Sequence, residues 1–379
     1  MLKVKIKKAA NKKVIYTITN LVTSTEWSGS DTQASRTATI GIISNKADKE
    51  LPNVSIETGD ILYLYEGSQL IFCGRITQQE SHATPGSQTY TAQDFANVLL
   101  RSTVSYRFKN TTPEKIAKRV LTDMGVKIGK LAKTKVSIDK WIVDGEKAYN
   151  VILSAYRKAR EKTDKIYRLC MEGTLFNVKA KDESTGVTLT LHDSVTETTL
   201  TENAGEIVNR VEIVDDKGKR IGEVKDKNSI KLFGVAQEVY QKEKGVSAKA
   251  AAKQMLKGPS KEASVEAVGD VRCIAGKSIL LKDEYTGTTG KFWIEEDSHS
   301  FAAGLHTMSL KLRFERVMEG DEDEKTKPIA VGSATCYYSD NSDKFHSAKK
   351  CGTGLTNPIC STVDEATKTG RGKCSRCWQ

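Results

Sequence analysis

Two distant stretches of this chain carry residue types in nearly the same order. GRITQQESHATPGSQTYTA begins at Gly74, and GKFWIEEDSHSFAAGLHTMSL begins at Gly290. Each opens on a glycine and a basic residue, runs into a strand-like segment, reaches an acid-Ser-His triplet, and passes a second glycine. Each closes on Thr, one larger side chain and a hydroxyl residue. Gly74, Arg75, Glu80, Ser81, His82, Gly86 and Thr89 thus answer to Gly290, Lys291, Asp297, Ser298, His299, Gly304 and Thr307. A chain that repeats a supersecondary unit builds one fold twice. Two similar units in one chain let three chains place six equivalent units around an axis, and repeated interfaces commonly close into rings.

The surroundings of both stretches read as short strands. ATIGII and DILYLYEG are rich in β-branched and aromatic residues, and Gly59-Asp60 and Glu66-Gly67 supply turns. Leu2, Val4 and Ile6 alternate with Lys3, Lys5 and Lys7. The six lysines among the first thirteen residues therefore read as the wet face of a half-buried strand. No aromatic stacking residues are interleaved as a nucleic-acid arm would need. In HTMSLKLRFERV, Met308, Leu310, Leu312 and Phe314 face one way and Ser309, Lys311, Arg313 and Glu315 the other.

Between the β regions the period changes. Thr112 can cap a helix with Pro113 at its first position; Ile116, Val120, Leu121 and Met124 share its face, and Gly125 ends it. A second helix is expected from about Glu146 to Lys162, with Val151, Ile152, Ala155 and Tyr156 inward, then the hairpin YRLCMEGTLFNVKAKD. A later helix, AKAAAKQMLK, follows Ser247 and stops at Gly258-Pro259. The expected organisation is a first β-barrel over 1–108, an α+β insert over 109–185, a second β-barrel with one helix over 186–318, a charged linker over 319–331, and a metal-binding module over 332–379. The fold class is mainly β, with two tandem barrels and a small zinc-stapled C-terminal module.

With 379 residues, 38% hydrophobic residues and a net charge of +11, the chain reads as soluble and multidomain. No segment reaches the roughly 18 apolar residues of a membrane span. The basic N-terminus lacks an apolar stretch and a cleavage site, so cytoplasmic synthesis is expected. Catalytic constellations do not survive inspection. Asp297-Ser298-His299 cannot form a local relay, because adjacent residues on a strand point to opposite faces. Ala275-Gly276-Lys277-Ser278 resembles the end of a phosphate loop, but the upstream Gly269 is too far away and a strand pattern follows where a helix is needed. The chain is read as a non-enzyme.

The tail departs from the rest. Cys73, Cys170 and Cys273 are the only cysteines before residue 336; Cys336, Cys351, Cys360, Cys374 and Cys377 crowd into the last 44 residues. His346 and Cys351 form one close pair and Cys374-x-x-Cys377 another, with 22 residues between them. Two close pairs joined by a loop suit a tetrahedral Zn²⁺, and four protein ligands make the site structural rather than catalytic. A module of this size with little apolar content needs such a staple. Disulfides formed after release from a cell are the competing reading, and Cys336 and Cys360 have no assigned role. FHSAKKC and ATKTGRGKCSRC resemble short bacterial metal-binding modules with an aromatic-His knuckle and an A-x-x-x-G-x-x-P-C-x-x-C segment, although Phe345 and Lys373 stand where Tyr and Pro are usual.

Residues 1–318 resemble the late-control-D type hub of contractile phage tail baseplates and tail-like bacteriocins. IVNRVEIVDDKGK, SIKLFGVAQEVYQKE, SVEAVGD and YTGTTGKFWIEEDSHSFAAGLHTMSLKLRFE carry the resemblance. It implies tail-tube-like barrels and a homotrimer forming a pseudo-hexameric ring between the six-fold tail tube and the three-fold spike. Implied partners are the tube or a tube-initiator ring, the central spike and the baseplate wedge proteins, with DNA only as passing cargo. Implied localisation is assembly in a bacterial host cytoplasm, then a virion or tail-like particle released by lysis. The zinc module departs from that pattern. The alternative function is a basic nucleic-acid-binding protein that reads through its zinc module.

Overall fold

The computed structural model describes residues 2–11, 13–44, 54–81, 86–180, 182–191, 193–243, 247–314, 335–339, 343–346, 359–362 and 372–374. The chain divides into two compact units, Met1–Asn203 with Lys261–Asp321, and Ala204–Ser260 with Glu322–Gln379.

The first unit opens with β1 (Leu2–Lys7), β2 (Ile15–Thr17), β3 (Val22–Ser30), β4 (Gln33–Ser44), β5 (Ile61–Glu66), β6 (Gln69–Ser81) and β7 (Gly86–Asp94). Alternation decides which side chains go in. Val4 and Ile6 are buried on β1, Ala38, Ile40 and Ile42 on β4, and Tyr90 and Ala92 on β7, where they form one apolar core with Trp27 and Ile76.

An α+β lobe follows: α1 (Asn97–Arg101), β8 (Thr103–Thr111), α2 (Pro113–Asp123), β9 (Ile128–Leu131), β10 (Ile138–Lys147), α3 (Ala148–Thr163), β11 (Arg168–Glu172) and β12 (Leu175–Lys179). Helix α2 begins at Pro113, as the sequence predicts, but the Thr112 side chain makes no capping bond. Ile116, Val120 and Leu121 meet Val151, Ile152, Ala155 and Tyr156 of α3 in a second core that runs from Ala96 to Val178. Gly125 takes φ 67°, the left-handed conformation that ends a helix without a Cβ penalty.

Strands resume with β13 (Ser184–Thr190) and β14 (Val195–Asn203). The second unit then intervenes: β15 (Arg210–Val214), β16 (Arg220–Lys225), α4 (Lys227–Phe233), β17 (Gln237–Gln241) and α5 (Ala248–Gln254). Its sheet runs β16-β15-β17 over a small core of Val211, Ile213, Tyr240 and Ala252. Buried Asn209 ties this unit together, donating to Gly234 O at 2.8 Å and accepting from Ala236 N at 2.9 Å. The first unit is completed by β18 (Ser260–Val268), β19 (Ser278–Lys282), β20 (Thr289–Ala302) and β21 (Leu305–Arg313). Ile279, Leu281, Ile294, Met308, Leu310 and Leu312 make a further core.

The two β regions share one connectivity. In space the first reads β1-β5-β6-β7-β4-β3 and the second β13-β19-β20-β21-β18-β14. With β2 set aside, both are the same permutation of six successive strands. One pairing differs: β1 runs antiparallel to β5, whereas β13 runs parallel to β19. The detail also repeats. Gly59 N donates to Ile76 O and Ile76 N to Asp60 O, each at 2.8 Å; Gly276 N donates to Ile294 O at 2.8 Å and Ile294 N to Lys277 O at 2.9 Å. A β-bulge follows each isoleucine, before Gln78 and before Glu296.

This corrects two sequence expectations. The bulges align Gln79 with Asp297 and Ser81 with His299, one residue away from the triplet match, because hydrogen-bond register rather than side-chain type fixes equivalence. No closed barrel is formed among the described residues. Instead of two separate barrels, β3 pairs with β20 and joins both repeats into one thirteen-stranded sheet whose main path runs from β14 to β2, with β19 and β13 branching from β20. It is one sheet carrying two cores.

In the tail, β22 (Thr335–Tyr338) pairs antiparallel with β24 (Ile359–Thr362), and β23 (Lys344–Phe345) pairs parallel with β25 (Gly372–Lys373).

Candidate functional site: the joint between the repeats

Strand β20 serves three neighbours. One edge pairs with β21; the other pairs with β19 from Thr289 to Trp293 and with β3 from Glu296 to Ala302. The bulge between Ile294 and Glu296 divides the two territories. Seven register pairs, from Glu296↔Ser30 to Ala302↔Ser24, make the joint.

Its inner face is ionic. Arg36 on β4 donates to Asp297 through both terminal nitrogens, with Nη1 to Oδ1 at 2.9 Å. The guanidinium lies 4.2 Å over the Trp27 ring, and Trp27 stacks on His299 with centroids 4.9 Å apart. Asp297 also accepts from Ala275 N at 2.7 Å. Burial would raise its carboxyl, but Arg36 first, and His299 after it, hold it down at about 2. A fully paired buried carboxylate of this kind binds its partners tightly, and loss of either partner strands the other charge. Gly29 leaves room for the pair: a Cβ there would stand 2.4 Å from Arg36 Nη1.

Behind this pair, His299 Nε2 lies 3.0 Å from Cys273 O. A carbonyl only accepts, so Nε2 carries a proton. Its Nδ1 shares a hydrogen bond of 3.1 Å with His306 Nε2. Burial, and then His299, push His306 down to about 4. On the other side, Asp94 accepts from Arg36 N, Ser35 Oγ and Ala96 N, yet burial outweighs these bonds and lifts it to about 6. A second link runs the opposite way: Arg313 of the second repeat reaches Asp31 of the first, Nε to Oδ2 at 3.3 Å, and Asp31 N donates to Glu295 O at 2.8 Å.

The outer face is polar, with hydroxyls interspersed among Glu26, Glu266, Glu296 and Lys311. One rung reads Glu266, Ser309, Ser298, Ser28, Thr37, Gln93 across six strands without a break at the joint. A polar hollow of about 630 Å³ lies here, lined by Ser28, Ser298, Ser309, Glu26, Glu296 and Lys311 among others.

The triplet that suggested a relay is thus divided as alternation requires. Asp297 and His299 are buried, while Ser298 points outward to Glu26 Oε1 at 3.3 Å. Gly276 takes φ 79° and strand β19 starts at Ser278, so the phosphate-loop resemblance is a turn. Arg36 and Trp27 escape a reading by motif. Their signal is parity: Arg36 shares the inward register of Ala38, Ile40 and Ile42.

Of the four residues expected to bind zinc, the structure describes His346 and buried Cys374. The pairing of Phe345 with Lys373 makes His346 and Cys374 the next residue on each of two parallel strands. Cys351 and Cys377 lie outside the described residues. Among the described residues no cluster of three His, Cys, Asp or Glu side chains has metal-binding geometry. Cys336 and Cys360 fall on paired strands but one position out of register, opposite Ser361 and Tyr337.

The model of a family described as YQBQ-like matches residues 25–313, which holds the joint and most of both repeats. The chain belongs to the YQBQ-like family. Within reach of this family, the phage-like element PBSX protein XkdQ of Bacillus subtilis is 23% identical over 297 residues, covering 73% of this chain and 88% of that protein. The fold is shared with a 43 kDa tail protein of prophage MuSo2 from Shewanella oneidensis. That likeness has TM-score 0.62 at 15% identity, covering 82% of this chain and 98% of the other. It is shared also with the E. coli c3393 protein, a type VI secretion component described as similar to T4 bacteriophage tail proteins gp27 and gp5, with TM-score 0.51, 11% identity, and coverage of 85% and 81%. The fold is therefore that of tail proteins, mainly β with an α+β lobe.

Among the described residues no helix is long and apolar enough to cross a membrane.

Proposed function

We propose that this chain is a structural, non-catalytic hub of a contractile tail baseplate. Three copies form a ring of six repeats that joins the six-fold tail tube to a three-fold spike. The observation that carries this reading is the six-strand order made twice in one chain and fused through β3 and β20. Two like units per molecule are what a three-fold assembly needs to present a six-fold face. The tail-protein fold and the phage-like element relative support it. On this reading the hydroxyl-rich rungs line the channel, where a polar wall carrying Glu26, Glu266 and Glu296 lets DNA pass without holding it, and wedge proteins dock outside. The ring transmits the thrust of sheath contraction to the spike. Assembly takes place in a bacterial cytoplasm before release in a virion or tail-like particle. Electron microscopy of the native assembly tests the reading. Three copies in a ring of six similar lobes are expected, and a single copy per tail overturns it.

The tail fits a structural Zn²⁺ held by His346, Cys351, Cys374 and Cys377. The donor set and the matched strand positions of His346 and Cys374 support this. One metal per chain is expected by elemental analysis, and Cys377→Ser should make the tail protease-sensitive while the repeats stay assembled. A metal-free chain with a protease-resistant tail overturns the ligand set. Salt-sensitive DNA binding that disappears when Cys374 and Cys377 are replaced would instead favour the nucleic-acid reading.

A further inference from the structure

The internal joint has one acceptor edge, on β20, and one donor strand, β3. Each repeat carries both parts, so each chain holds a second acceptor and a second donor. The second acceptor is on β6. Strand β5 occupies its edge from Gln69 to Arg75, as β19 occupies that of β20. Beyond the bulge, where β20 receives β3, no strand among the described residues pairs with that edge of β6. Thr77, Gln78, Gln79, Glu80 and Ser81 are exposed in succession, so both faces of the strand are open there. On β20 the positions equivalent to Gln79 and Ser81 are Asp297 and His299, both buried.

The second donor is β14, the counterpart of β3. It ends the sheet, with β18 on one edge and, among the described residues, no strand on the other. In β3 the joint buries Thr25 and Trp27; in β14 every residue from Thr199 to Asn203 is exposed, including Leu200 at 39%. Edge strands are normally protected by charged side chains, lysine above all, by proline or by a bulge. The sequence of β14, VTETTLTEN, contains neither lysine nor proline, carries charge only at Glu197 and at Glu202, which pairs with Lys261, and is rich in β-branched threonine.

We propose that β14 of one copy adds antiparallel to the Gln78–Ser81 edge of β6 in a second copy, repeating between molecules the joint that β3 and β20 make within one. The contact is head-to-tail: donor and acceptor are different surfaces, so successive copies must close a ring or grow a filament. It extends from one molecule to the next the outward rung of Ser300, Glu26, Thr39 and Thr91, which the register of β6 with β7 carries to Gln78. The intermolecular joint lacks the tryptophan and the buried ion pair of the internal one. Backbone pairing and small polar side chains hold it, which suits assembly from soluble copies. The inference rests on the hub reading for its ring of three.

Cysteine pairs test it in the full chain, oxidised in its assembled state. Gln79→Cys or Ser81→Cys is combined with Thr199→Cys or Thr201→Cys. At least one of the four pairs should give a reducible covalent species of three chains, while the parent, with its native cysteines, and each single variant should not. Thr199→Lys with Thr201→Lys should abolish assembly and leave the folded spectrum of the chain unchanged. Rings that assemble, yet cross-link in none of the four pairs and tolerate both lysines, overturn the strand pairing and leave the hub standing. A chain that is a monomer in the intact particle overturns both.

Discussion

Ile76 and Ile294 occupy the same place in the two repeats: buried, ahead of a bulge, and bonded back to a glycine at φ 98° or 79°. Three residues later the repeats part. Asp297 meets Arg36 under a roof of Trp27, whereas Gln79 stands in solvent. The strand frame is common property, and what differs is whether a neighbour lies against it. The additions differ as well. The first repeat is followed by an α+β lobe after its last strand, and the second is interrupted by a small unit between its second and third strands. Both additions enter at connections, where length changes cost little. Exposure on β6 and burial on β20 therefore report local company rather than a different fold.

The largest effect should come from separating the charges at the joint. Asp297→Ala leaves a buried guanidinium unpaired and should cost about 3–5 kcal/mol. At the equivalent place in the first repeat, Gln79→Ala should stay within about 0.5 kcal/mol. Scanning calorimetry of the two variants checks this, and equal losses would break the comparison. Gly29→Ala should come next, at about 1–3 kcal/mol, because the new methyl and the pinned guanidinium cannot share the space. Its crystal structure should show Arg36 moved off Asp297.

The smallest effect concerns protons. His306 titrates at about 4 in the fold against 6.5 ordinarily, so the unfolded chain takes up a proton first and its contribution to stability is lost as pH falls from 6.5 to 4. Asp94 titrates at about 6 against 3.8, so the native state takes up the proton first and its contribution is lost as pH rises from 3.8 to 6. The two slopes oppose each other over most of that interval. His306→Asn should expose the Asp94 slope: relative to the parent, the variant gains stability between pH 6.5 and 4.5. Urea midpoints at the two values measure it.

Much of the frame was legible in the sequence. Alternation located β1 through Val4 and Ile6 and β21 through Met308, Leu310 and Leu312, and helical spacing located α2 and α3. The repeat was legible as residue types but one position out of register, since side-chain identity carries no record of a bulge. The joint was not legible. Arg36 and Asp297 are 261 positions apart, and no local pattern says which distant strand will lie against an edge. The parity that Arg36 shares with Ala38, Ile40 and Ile42 calls for a buried partner without naming it. The expectation of zinc at His346, Cys351, Cys374 and Cys377 rests on spacing alone, because His and Cys in close pairs are rare enough to be read without a fold.

One consequence concerns the order of synthesis. Glu26 and Ser298, partners across the joint, are 272 positions apart. At ordinary ribosomal speeds, the β3 edge waits roughly 15 to 50 s for its partner to be made. During that interval Trp27 has no cover from β20, and the nascent first half can take a strand from a neighbouring polysome.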